Sequence, residues 1–186
     1  INMESATHCS SKACGSCKLE EDCYAFKYER SYKNTLIRNE CNKWYWSYCS
    51  GKDIAGDILS IVAHLTKRYG KIKTVRLSVE GDFTNAEVYN KVTEVSAILE
   101  CWDIHLYTYT HRINLPLRPI HTNLTINGSI GGMGLSNEFL AVPEALMPEN
   151  PKYECVCASD NSKRCGVDCN LCYTTKGITI YEKLRI

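Results

Sequence analysis

The sequence predicts an α/β fold: a small partial (β/α) barrel or an open, mostly parallel sheet, with cysteine-rich, metal-binding segments at both ends. Three observations carry this. An apolar-periodic helix and two alternating strands succeed one another in the middle of the chain at βαβ spacing. Five of the twelve cysteines fall within the eighteen residues 155–172. A second group, Cys9, Cys14, Cys17 and Cys23, occupies the other end.

The first helix spans Lys52 to Tyr69. Ile54, Ile58, Ile61, Val62 and Leu65 recur at steps of three and four, Asp53 is its expected cap, and Gly70 its stop. A strand over 74–79 follows, with Val75, Leu77 and Val79 alternating. Glu80-Gly81-Asp82-Phe83 breaks the chain, and Thr84-Asn85-Ala86-Glu87 reads as a capping box. The helix after it turns Val88, Val92, Val95 and Leu99 inward. A strand over 104–110 completes the unit, parallel to the first with a right-handed crossover. Further strands are expected over 124–130, 139–142 and 178–184, and a short helix opens after Cys23. Gly128, Gly131, Gly132 and Gly134 mark a sharp turn or a close backbone approach. The aromatic run between Cys41 and Cys49 reads as a wall of the core, or a cover over a site.

With 186 residues the chain fits one domain: a cysteine-rich segment over 1–50, an α/β core over 51–150 and a second cysteine-rich segment over 151–186. The net charge of +1 argues against general nucleic-acid binding, which draws its affinity from phosphate neutralisation. Lys27, Arg30, Lys33 and Arg38 form a local basic stretch. No segment has the length and apolarity of a membrane span, and no export signal precedes the cysteines. A reducing compartment follows as the expectation, where clustered cysteines bind metal or do redox work more often than they pair.

Thiolates in compact loops suit zinc or an iron–sulfur cluster. Cys165, Cys169 and Cys172 form a tight triplet with Cys157 as a fourth donor, and Cys9, Cys14, Cys17 and Cys23 have a similarly irregular spacing. Zinc sites favour two separated pairs. The tight triplet and the irregular N-terminal group therefore point to iron–sulfur, as one or two [4Fe–4S] clusters, with zinc as the alternative. Cys101 reads as a buried apolar residue, Cys41 and Cys49 as core or a further pair, and Cys155 as a spare ligand or one turned away. Parallel sheets gather ligands beyond the carboxyl ends of their strands. That places Glu80, Gly81 and Asp82, Tyr109 to Arg112, and the glycine cluster 128–134 in the candidate pocket. Asp82 reads as a ligand carboxylate or a helix cap, and His111 and Arg112 as anion contacts or a solvated loop.

Several short motifs then align in order: Ser5-Ala6 before Cys9, Cys23-Tyr24-Ala25, Val75-Arg76-Leu77-Ser78 with Gly81-Asp82-Phe83, Tyr107-Thr108-Tyr109-Thr110, and Cys165, Cys169, Cys172-Tyr173 before Ile178-Thr179-Ile180-Tyr181. Together they resemble the phage "gene product 88" domain family. The resemblance implies a phage or mobile-element origin, a location in the cytoplasm of an infected or host bacterium, and no defined activity. More distantly, Cys165-x3-Cys169-x2-Cys172 is similar to the cluster motif of radical S-adenosylmethionine enzymes, and Glu80-Gly81-Asp82 to the motif that holds the methionine amine there. That likeness implies S-adenosylmethionine as a second cofactor and redox or radical chemistry on an unknown substrate or with an unknown redox partner. One departure is plain: only fourteen residues follow the triplet, whereas in those enzymes the barrel follows it. A zinc-stabilised nucleic-acid- or protein-binding module without catalysis is the competing expectation.

Overall fold

The computed structural model describes residues 2–17, 23–78, 80–115, 121–129, 136–147, 154–156, 169–174 and 176–183. Four helices come first: α1 (Ser10–Ala13), α2 (Tyr24–Ser31), α3 (Lys33–Tyr48) and α4 (Gly51–Tyr69). Then follow β1 (Thr74–Arg76), α5 (Ala86–Glu100), β2 (His105–Thr110), β3 (Leu124–Ser129) and β4 (Asn137–Val142). After a single 3-10 turn at Glu144–Leu146 come β5 (Glu154–Val156), α6 (Leu171–Thr174) and β6 (Thr179–Lys183). The six strands form one sheet in the order β1-β2-β3-β4-β6-β5. Every adjacent pair is parallel. The expected open parallel sheet is therefore present, with β1 and β5 at its edges.

Parallel neighbours normally need a long return connection. The step from β3 to β4 avoids one. Asn127 pairs with Asn137 and Ser129 with Phe139, so β4 begins level with the end of β3 and runs onward. The sheet is staggered there, and β6 then pairs with β4 along its whole length.

Side-chain alternation on β2 sorts the two faces. Leu106, Thr108 and Thr110 are buried, while His105, Tyr107 and Tyr109 are half-buried. Leu106 joins Ile54 and Ile58 of α4, Val92, Val95 and Leu99 of α5, and Leu124 and Ile126 of β3 in the core. On the other face, the Tyr173 ring of α6 lies 5.4 Å from that of Tyr107.

The helix starts differ in detail from the expected ones. Ser50, not Asp53, caps α4, accepting the Asp53 amide at 3.1 Å. Asn85, not Thr84, caps α5, accepting the Val88 amide at 3.0 Å. In each case the residue immediately before the helix takes the cap, because its side-chain oxygen reaches forward to the amide three positions on. On α4 the fully buried positions end at Ile58, and Ile61 is 49% exposed. The apolar period is right, but the second half of the helix has less to pack against. The aromatics of 41–49 lie at the end of α3, and they split: Trp46 is in the core, whereas Trp44 and Tyr48 stack on each other outside. Cys41 and Cys101 are exposed, against the core reading. Cys101 follows the last turn of α5, where the chain leaves the packed face. Strand β1 ends at Arg76, Val79 lies outside the described residues, and the β5 strand was not foreseen. Among the described residues no helix is long and apolar enough to cross a membrane.

Truncating Ile126 at the centre of this core (Ile126→Ala) is expected to cost about 2–5 kcal/mol in urea denaturation. Ile37→Ala, on the exposed side of α3, is expected to stay within about 0.5 kcal/mol. Equal costs would place the core elsewhere.

Candidate functional site at the carboxyl ends of β1 and β2

Chain that leaves β1 is the seat of the N-terminal segment. The Met3 amide donates to Ser78 Oγ at 3.2 Å. Asn2 Nδ2 donates to Glu80 Oε2 at 3.0 Å, and the Glu80 amide returns a bond to Asn2 Oδ1 at 3.2 Å. The Asp82 amide donates to Glu4 Oε1 at 3.2 Å. Gly81 lies between them at φ +73°, and a Cβ there would stand 2.3 Å from the Glu4 carbonyl oxygen. Only glycine allows both the backbone angle and the close passage. The predicted binding role of Gly81 is thus met by a concrete steric one: the neighbour it admits is the chain's own N-terminus.

Asp82 is 1% exposed and accepts four bonds. They come from Ser11 Oγ (2.6 Å), Thr110 Oγ1 (2.7 Å), the His111 amide (2.7 Å) and the Phe83 amide (2.7 Å). A carboxylate offers about four acceptor positions, so all are used. Glu80 is likewise buried, held by Asn2 and Asn39, with Arg38 3.9 Å away. Glu29 of α2 accepts the amides of Ala6 and Thr7 at 2.8 and 2.9 Å, the Thr7 hydroxyl, and Asn39 Nδ2. Glu4 accepts the Ser10 amide and hydroxyl, both at 2.7 Å. Its carboxyl is raised above the ordinary value, chiefly by burial and also by the charge of Asp82. Four buried carboxylates therefore sew residues 2–11 across the strand ends.

Arg112, read from the sequence as an anion contact or part of a solvated loop, is buried. Its Nη1 donates to the carbonyls of Phe83 and Thr84, and its Nε to Asn114 Oδ1. The neighbouring His111 side chain keeps Nε2 buried with no hydrogen-bond partner among the described residues. Burial lowers its pKa, against the attraction of Asp82, which keeps the ring neutral near pH 7.

The N-terminal cysteines ride on the sewn segment. Cys9 precedes α1 and Cys14 follows it, while Cys17 and Ser16 fold back onto the Ser11 carbonyl. Burial pushes the Cys9 thiol up to about 12, and the nearby Glu4 and Asp82 charges add to the rise. Cys14 differs. Slight burial works against ionisation, but hydrogen bonds from Ser16, whose Oγ is 2.9 Å away, and the charge of Arg112 bring it below its ordinary value. Cys23 sits immediately before α2. Cys172 lies elsewhere, on α6 against Tyr109. Cys169 precedes that helix, and Cys157 and Cys165 lie outside the described residues.

The donor types fit a thiolate-held metal, since soft sulfurs are numerous. Their placement does not assemble one: among the described residues, no three Cys, His, Asp or Glu side chains stand close enough to share an ion. Residues 18–22, between Cys17 and Cys23, lie outside that description. His8, next to Cys9, pairs with Glu40 at 2.8 Å. The sequence missed the buried roles of Glu4, Glu29 and Asn39, although a glutamate before a cysteine loop and an Asn-Glu pair within a helix were visible.

Replacing Asp82 by alanine leaves four donors without their acceptor and is expected to cost about 3 kcal/mol or more in urea denaturation. It should also expose residues 2–17 to limited proteolysis; a variant as protected as the parent would refute the clip. In metal-free protein at pH 8, iodoacetamide should label Cys14 well before Cys9, whose thiolate fraction is then roughly one in ten thousand. Equal labelling rates by mass spectrometry would contradict the assigned environments.

Nothing among curated proteins and nothing among solved structures matches the chain. The likeness to radical S-adenosylmethionine enzymes gains no support from these comparisons. A family model described as Gene product 88 matches residues 1–145, which takes in Cys9 to Cys23, the Glu80-Gly81-Asp82 turn and the strands through β4, but stops short of the cysteines from Cys155 onward. With well over half its length matched, and with the sewn N-terminal segment inside the match, the chain belongs to the gene product 88 family of phage proteins.

Proposed function

We propose that this chain is an iron–sulfur protein of phage or mobile-element origin, whose cluster is held by Cys9, Cys14, Cys17 and Cys23 and serves redox chemistry. The observation that supports it is the seating of this cysteine segment over the carboxyl ends of β1 and β2, where parallel sheets present their ligands. Cys14, exposed and with its pKa lowered by the Ser16 hydrogen bonds and the charge of Arg112, is readier to ligate than Cys9. The unpartnered Nε2 of His111 is a polar group at the same strand end. A [4Fe–4S] cluster bound by four thiolates supplies one-electron transfer. Cys157, Cys165, Cys169 and Cys172 would be the donors for a second centre.

S-adenosylmethionine is the weaker part of the reading. Its amine would need Glu80 or Asp82, and both carboxylates are committed to protein donors. The chemistry proposed is therefore redox at the cluster, without radical cleavage of that cofactor.

Protein prepared without oxygen should contain iron and acid-labile sulfide and absorb broadly near about 400 nm. Cys14→Ser with Cys17→Ser should remove the iron of this centre and leave that of the second, roughly halving the total, while Cys101→Ser should not change it. The reduced protein should not cleave S-adenosylmethionine. Zinc at these thiols in place of iron would turn the reading to a zinc-stabilised nucleic-acid- or protein-binding module. Absence of both metals would end it.

A further inference from the structure

Away from the N-terminal cysteines, at the amino ends of β1 and β2, two adjoining hollows of about 490 and 550 Å³ share Lys73, Thr74 and Tyr173. Each falls in the range of roughly 300–1,000 Å³ typical of small-molecule sites. Their charge is one-sided. Among the described residues, Lys71, Lys73, Arg76 and Lys176 line the pair against a single carboxylate, Asp103. Four cations less one anion leave +3 there, in a chain whose whole net charge is +1. Asp103 receives Lys71 at 2.9 Å and Lys73 at 3.9 Å while itself mostly exposed, so one solvated carboxylate is shared by two ammonium groups. That arrangement leaves cationic capacity facing the hollows.

The walls are aromatic. Tyr173 and Tyr107 stand ring to ring at 5.4 Å, and His105 lies 6.1 Å from Tyr173. The Arg76 guanidinium lies over the Tyr109 ring at 4.8 Å, which holds it along the same face. Rings that accept stacking beside a cluster of ammonium and guanidinium groups match one ligand chemistry well: a flat base joined to a phosphate. A bare anion would use the cations and leave the rings idle. An apolar ligand would leave the cations facing nothing.

We propose that the paired hollows bind a nucleotide, with its base on the Tyr107 and Tyr173 rings and its phosphate on the lysines. A free mononucleotide and a nucleotide within a single strand share this chemistry. The proposal rests on none of the cysteines and does not depend on the metal reading.

Calorimetric titration of the full chain with AMP, and separately with a ten-residue oligothymidylate, tests it. Lys73→Glu with Lys176→Glu alters two surface side chains and should leave the circular dichroism spectrum unchanged. Binding of at least one probe should weaken tenfold or more in this double variant and should fall with added salt. Lys52→Glu with Lys67→Glu on α4, the charge-matched control, should bind like the parent. AMP binding identifies the free nucleotide as ligand, and binding of the oligonucleotide alone identifies the strand. The proposal is overturned if neither probe binds. It is equally overturned if inorganic phosphate displaces the probe as well as AMP does, or if the α4 control weakens binding as much.

Discussion

One carboxylate organises the strand-end region of this protein. Asp82 receives a hydroxyl from the N-terminal segment, a hydroxyl and an amide from the end of β2, and the amide of its own successor. Three pieces of chain far apart in sequence are thereby fixed to a single buried group. A buried carboxylate is tolerated only when its lone pairs are filled, so the three pieces cannot separate without a large desolvation cost. Gly81 permits the arrangement by removing the one side-chain atom that would collide with Glu4.

The same economy recurs around it. Glu29 and Glu4 bind main-chain amides of residues 6, 7 and 10, and Glu80 binds Asn2 and Asn39. The N-terminal segment has few apolar residues to bury, apart from Met3 and Ala6. Carboxylates of α2 and of the loop after β1 hold it in place of a hydrophobic face. The outcome is that the two ends of α1 have unlike surroundings. Cys9 is packed against acids and keeps its proton; Cys14 points outward beside a buried arginine and loses its proton more readily. A thiol pattern that looks uniform along the chain is chemically uneven in space.

The parallel sheet also separates two kinds of surface. Its carboxyl ends carry the cysteine segment, whereas the amino ends of β1 and β2, with α6 alongside, carry lysines and tyrosine rings. The alternation along β2 makes this division possible, since Leu106 and its even-numbered neighbours face the helices while His105, Tyr107 and Tyr109 face away from them. Cys172 belongs to that second surface, against Tyr109, where burial and the cysteine itself push the phenol upward. The two cysteine groups therefore meet different environments among the described residues.

Local pattern was legible by itself. The period of Ile54 and Ile58, the inward row from Val88 to Leu99 and the roughly thirty-residue spacing of a βαβ unit are properties of neighbouring residues, and each predicted its element. The position of Glu80, Gly81 and Asp82 at a strand's carboxyl end was legible for the same reason. What they do there was not. Ser11 and Asp82 are 71 positions apart, and Asn2 and Glu80 are 78 apart. Whether a carboxylate waits for a ligand or is already filled depends on such distant donors, and only folding brings them within bonding range. The outward turn of Trp44 and Tyr48 and the burial of Arg112 were decided likewise, by which neighbours the tertiary packing supplied rather than by any spacing along the chain.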